Sequence, residues 1–117
     1  MTEKGFEDFG FIRKGFSAHP KIDPDNEDIF NIGFNATTFD VYRMTKDFKL
    51  LVKNTTKLRV PQSIHDCCLA GNYLIVFECP VKLDMWKFVK GNFGPKCYSA
   101  DFNYGKTIAH IYNKENL

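Results

Sequence analysis

The chain has 117 residues and a net charge of +2, with 44% hydrophobic and 15% aromatic residues, among them 12 Phe and 5 Tyr. That length holds one small domain, and so much apolar side chain excludes a disordered polypeptide. The scattered lysines form no stripe, which excludes a nucleic-acid footprint and leaves no nucleic acid among the expected partners, and no apolar run approaches the ~20 residues of a membrane-spanning helix.

Taken in order, the residues up to Gly15 hold three glycines and several aromatics without periodicity and read as loop with a short strand. Met1 to Asp8 mixes both charges, unlike a secretory signal or transit peptide. Phe16 to His19 is a strand candidate stopped by Pro20. Pro24 to Asp28 is rich in turn formers. Asp23, Asp25 and Glu27 lack the remaining acidic ligands and the glycine of a calcium loop, so a solvated turn is expected there. Ile29 to Phe34 alternates apolar with small or polar residues, the pattern of a half-buried strand. Thr38 to Met44 repeats it, with Phe39, Val41 and Arg43 on one face. Thr45 to Asp47 makes a turn, and Leu50 to Val60 makes a third strand closed by Pro61. Gly71-Asn72 between two β-prone runs signals a tight hairpin, with Tyr73 to Glu78 as its buried second strand and His65 near the start of its first. Val81 to Lys90 fits a short helix or an irregular connection, Gly91 to Tyr104 reads as loop, and Lys106 to Tyr112 as a last strand.

The four cysteines, Cys67, Cys68, Cys79 and Cys97, do not have zinc-site spacing. Cys67 and Cys68 are adjacent on a strand and therefore point to opposite faces. Reduced, partly buried thiols in an intracellular protein are expected, with Cys67 and Cys79 unbonded even if they face each other across the hairpin. Short strands between polar turns, with no helix long enough for a parallel crossover, make the chain all-β: antiparallel strands and hairpins of a sandwich, barrel or propeller. His19 and His65 lie 46 residues apart, about one propeller blade. Equivalent histidines on successive blades would converge on the axis.

Ser17-Ala18-His19-Pro20-Lys21-Ile22-Asp23-Pro24, followed by Ile29 to Phe34, resembles one signature of the carotenoid cleavage oxygenases. Ser63-Ile64-His65-Asp66, followed by Gly71 to Phe77, resembles a second, and Gly105 to Ile111 resembles the strand of the next blade. The motifs stand in the family's order and span nearly the whole chain. The resemblance implies about one and a half blades of a seven-bladed β-propeller, with residues 1–117 an incomplete domain. It also implies an enzyme that holds one non-haem ferrous iron, Fe(2+), with four histidines and cleaves a double bond of a carotenoid, apocarotenoid or stilbene-type polyene with O2. His19 and His65 match the first two metal ligands, and His110 falls where the family has an ordinary strand residue. The remaining ligands would lie beyond Leu117 and the first orienting glutamate upstream of Met1. Cys67-Cys68 and Ala70-Gly71 depart from the family's pattern, leaving the substrate open.

Imidazole suits ferrous iron, and neutral ligands on a rigid scaffold leave the metal's charge and open positions available. Each ligating ring also needs its second nitrogen fixed. Asp66, beside His65, is the candidate for the shell around the metal, in a structural rather than catalytic role. Phe77 is expected in the core; Phe16 and Trp86 belong either to the core, to an apolar tunnel or to a membrane-facing patch of the full-length protein. The expected partners are an apolar polyene and O2, and further copies of the chain through exposed strand edges. The expected compartment is cytoplasmic, or plastid for a plant-type parent. By itself the chain is expected to be inactive. The competing readings are a non-catalytic β-domain that binds a small apolar ligand or a partner strand, and a truncated product without function.

Overall fold

The structure, a computed structural model, describes residues 9–12, 14–59, 62, 64–79, 81–83, 85–91, 98–100 and 106–117. Its described elements are antiparallel strands and one five-residue helix. β3 (Ile29–Phe34) and β4 (Thr38–Met44) form a hairpin in which Phe34 faces Phe39 and Ile29 faces Met44. Asn35 closes it: its Oδ1 accepts the N–H groups of Thr37 at 2.9 Å and Thr38 at 2.8 Å, a side chain standing in for a backbone turn. β5 (Leu50–Lys57) pairs with β4, with a register shift between Arg43 and Met44. On the other side of β3 lie two short strands, β1 (Gly15–Phe16) and β2 (Lys21–Ile22), which share that edge end to end. The first sheet is thus four strand positions wide, the width of a propeller blade.

β6 (Cys67–Ala70), β7 (Tyr73–Glu78) and β10 (Ile108–Asn113) make the second sheet, with β7 central. Ala70 pairs with Tyr73, so Gly71-Asn72 is a two-residue turn. Gly71 takes φ +55°, the left-handed conformation that the first position of a type II′ turn requires and glycine adopts freely. Between β7 and β10 the chain forms β8 (Val81–Leu83), α1 (Met85–Val89) and β9 (Tyr98–Ala100), with β8 paired to β9.

The core lies between the sheets: Phe30, Ile32, Phe39 and Val41 of the first meet Cys67, Leu74 and Val76 of the second, with Leu58 and Ile64 sealing the seam. Each such side chain taken out of water contributes about 1.5–3 kcal/mol before entropy is charged against it. The opposite face of the first sheet is covered as well. Phe11 and Phe16 pack on Ile29, Tyr42 and Met44, and Lys14 reaches the buried Asp40 at 2.7 Å. Gly33 makes room for the Tyr42 ring, since a Cβ there would stand 3.0 Å from its Cε2.

Two cations, the buried Lys114 and the half-buried Arg43, tie the sheets together at one end. Lys114 Nζ meets Asp23 at 2.7 Å, and Arg43 bonds Asp28 at 2.8 Å and the Lys114 carbonyl at 3.0 Å.

Several expectations need correction. Asp23 is fully buried against Lys114, whereas its turn neighbours Asp25 and Glu27 are exposed, so only part of that segment is a solvated turn. β3 is buried on both faces rather than one, because Phe11, Lys14 and Phe16 cover the side that Asn31 and Gly33 present. The third strand stops at Lys57, since Leu58 turns inward to the core and the Arg59 N–H bonds Glu78 at 2.7 Å. The stretch read as loop from Gly91 contains strand β9. Phe77 is half exposed rather than in the core, because it lies on the outward face of the second sheet, and Trp86 is exposed too. Cys67 points inward opposite Val76 and Cys68 points outward, as alternation requires. Cys67, Cys68 and Cys79 are free thiols, and burial pushes the Cys67 thiol up to about 11. Cys97 lies outside the described residues.

Candidate metal centre

His19 is placed by a fault in a strand. Phe16 pairs with Gly33 and Lys21 with Phe30, so four residues on one side span only Asn31 and Ile32 on the other. The two extra residues must leave the ladder. Pro20 has no N–H to offer it, and the bulged segment carries His19 outward, exposed. Both histidines were expected at or near strands; His19 instead occupies the gap between β1 and β2, and His65 lies two residues ahead of β6. His65 and Asp66 are exposed between two buried anchors, Ile64 and Cys67. Each histidine therefore sits on the inner edge of its own sheet, on a short segment fixed at both ends.

The two rings meet. Their Nε2 atoms are 3.1 Å apart, with ring centroids 4.9 Å apart and planes inclined by 63°. At that distance the two Nε2 atoms are within hydrogen-bonding reach, with the tautomer deciding which ring donates. The same separation is what two imidazole nitrogens show when they bind one ion at about 2.1 Å and about 90° to each other. The donor pair therefore fits a shared metal ion. Among the described residues no third His, Cys, Asp or Glu completes a cluster around it.

Asp66 does not complete the centre either. Its carboxylate accepts the Cys67 N–H at 2.7 Å and meets Lys21 Nζ at 3.0 Å. The Lys21 hydrogen bond holds the Asp66 carboxyl below its usual range, against a smaller opposing effect of burial, and in return Lys21 is raised. His110 stays apart: its Nε2 bonds the buried Glu78 at 2.9 Å, and its ring packs edge-on against Phe39. Burial raises the Glu78 carboxyl, but hydrogen bonds from His110 and from the Arg59 backbone and guanidinium prevail and leave it lowered.

Sequence reasoning passed over Ser17, whose hydroxyl bonds the backbones of both histidines, and Asn31, which bonds the Ser17 carbonyl. Ser17 lies two residues before His19 in the same motif, and that adjacency was the available signal.

The family model described as retinal pigment epithelial membrane protein matches residues 1–115. The carotenoid 9,10(9',10')-cleavage dioxygenase of Crocus sativus is 31% identical over 94 residues, 77% of this chain and 16% of that protein. A crystallised chimera of ACO and RPE65 superposes on 97% of the chain with a TM-score of 0.73 at 23% identity. A variant of the Synechocystis apocarotenoid oxygenase superposes equally well at 22% identity, and its cobalt-substituted form at 23%, each with a TM-score of 0.73. The chain spans 26% of each of these solved structures, so the shared architecture is that of a piece of a larger β-propeller.

Proposed function

The chain belongs to the carotenoid cleavage oxygenase family, that of the retinal pigment epithelial membrane protein, and on that premise we propose that it supplies two of the metal ligands of an iron-dependent dioxygenase. The proposed ligands are His19 and His65, through Nε2. The observation that carries the reading is the 3.1 Å approach of these two nitrogens from separate sheets. Bound ferrous iron would supply O2 binding and activation beside an alkene, and the proposed substrate class is an apolar polyene of the carotenoid or apocarotenoid kind, oxidatively cleaved at a double bond.

The chain's own residues do the holding. The bulge at Ser17–Pro20 and the anchors Ile64 and Cys67 orient the rings with their Nε2 atoms toward one point. Asp66, engaged by Lys21 and Cys67, supports the second histidine's segment and takes no part in the reaction. Two neutral ligands on the inner edges of their sheets bind an ion weakly beside four, so the 117 residues alone are inactive. Their exposed strand edges favour self-association.

Metal titration and a polyene cleavage assay on the 117-residue chain test this. Co(II) or Fe(II) should bind weakly, His19→Ala and His65→Ala should each abolish binding, and no turnover should be seen. Binding untouched by both substitutions overturns the ligand assignment; turnover by the isolated chain overturns the inactivity.

A further inference from the structure

Ser17 lies in the bulge and is only 7% exposed. Every polar atom it has is engaged. Its N–H donates to the Ile32 carbonyl at 2.9 Å, and its carbonyl accepts from Asn31 Nδ2 at 2.8 Å. Its hydroxyl donates to the His65 carbonyl at 2.8 Å and accepts the His19 N–H at 3.1 Å. One Oγ therefore holds the backbones of both histidines, one from each sheet. A hydroxyl can do this because it donates and accepts at once. The first two bonds fix Ser17 to β3, so the hydroxyl is referenced to the most deeply buried strand of the first sheet.

A second tie, Lys21 to Asp66 at 3.0 Å, links the same two segments. Its side chains are 29% and 48% exposed, and ion pairs so open to water constrain little. The buried hydroxyl is the firmer of the two. We infer that Ser17 is a positioning residue whose hydroxyl sets the separation of the His19 and His65 rings, and so the geometry offered to an ion they share. The consequence for metal rests on the ligand reading above; the positioning itself does not.

The test is NMR of the metal-free chain, followed by Co(II) titration. In the parent chain the two rings should give cross-peaks, as their 4.9 Å centroid distance requires. Ser17→Ala should lose these cross-peaks while the amide signals of Phe30 and Val76 stay in place, and Ser17→Thr, which keeps the hydroxyl, should restore them. Lys21→Ala should leave them intact. Co(II) affinity should fall about 10-fold or more in Ser17→Ala, the scale seen when a partner behind a metal ligand is removed. Should Ser17→Ala fail to fold, Ser17→Cys, similar in size but with a weak hydrogen-bonding group, carries the same comparison. Cross-peaks that persist without the hydroxyl overturn the inference whether or not metal binds. Cross-peaks lost in a chain that binds no Co(II) uphold the positioning role and remove the metal reading instead.

Discussion

The two sheets are built from similar strands and differ in what covers them. In the first, β3 and β4 are closed on one side by the second sheet and on the other by Phe11, Lys14 and Phe16. In the second, β6, β7 and β10 bury only the side facing the first sheet, leaving Tyr73, Phe77 and Ile111 at 49%, 51% and 62% exposure. Stability should therefore be concentrated in the first sheet, and interaction in the second. The histidine pair sits where the two meet, with Ser17 referenced to the rigid partner and His65 belonging to the barer one.

The sharpest way to break this comparison is to make one large-to-small change in each sheet. Phe30 is fully buried in the seam with the Arg43 guanidinium above its ring. Phe30→Ala should cost about 3–5 kcal/mol in urea unfolding, the range for a buried aromatic that leaves a cavity. For a marginally stable chain that is most of the total. Equal losses from Phe30→Ala and Phe77→Ala would mean that the sheets do not differ as described.

A second test uses acid. Asp40 is buried in the first sheet. Burial raises its carboxyl, but hydrogen bonds from Lys14, Thr55 and Tyr42 outweigh that and hold it below the usual carboxylate range. The unfolded chain therefore takes up this proton before the folded one does. The resulting stability is present above about pH 4 and is lost as pH falls through the lower folded value. Asp40→Asn should cost roughly 1–3 kcal/mol at neutral pH, because it leaves the buried donors poorly paired. It should also make the acid limb shallower without abolishing it, since Glu78 in the second sheet is lowered too. An acid limb of unchanged slope would show that the first sheet's carboxylate is not coupled to folding.

The fold class was legible because it rests on local signals, whereas His19 and His65 were singled out by the family resemblance rather than by any local pattern, and the structure brings their rings together. Alternation in Thr38 to Met44 places Phe39 and Val41 in the core and Arg43 over Phe30, and Gly71-Asn72 names its own turn. What failed depends on partners distant in sequence. Asp23 looks like any turn carboxylate until Lys114 arrives from the far end of the chain. Asn31 and Gly33 look outward-facing, yet one binds the Ser17 carbonyl and the other lies under Tyr42. Phe77 belongs to a β-rich run that reads as buried, but no residue pattern states which face of a strand will be covered. Ser17 was easily passed over for a related reason, because its hydroxyl bonds the backbones of His19 and His65 and the latter lies 48 residues away in the sequence.

The smallest expected effect on stability is also the most informative about the bare face. Phe77 points outward opposite Ala109 on β10, so replacing it removes no large cross-strand partner. Phe77→Lys should shift unfolding by no more than about 0.5 kcal/mol. Its effect should appear in sedimentation velocity, where a charge among Tyr73, Ile75 and Ile111 should suppress self-association through that surface. Association that survives the charge would have to run through strand edges instead, among them β5 and β10, each at one edge of its sheet. Proline at a bonding position on either edge would then separate the two, because it blocks strand addition and leaves the apolar face untouched.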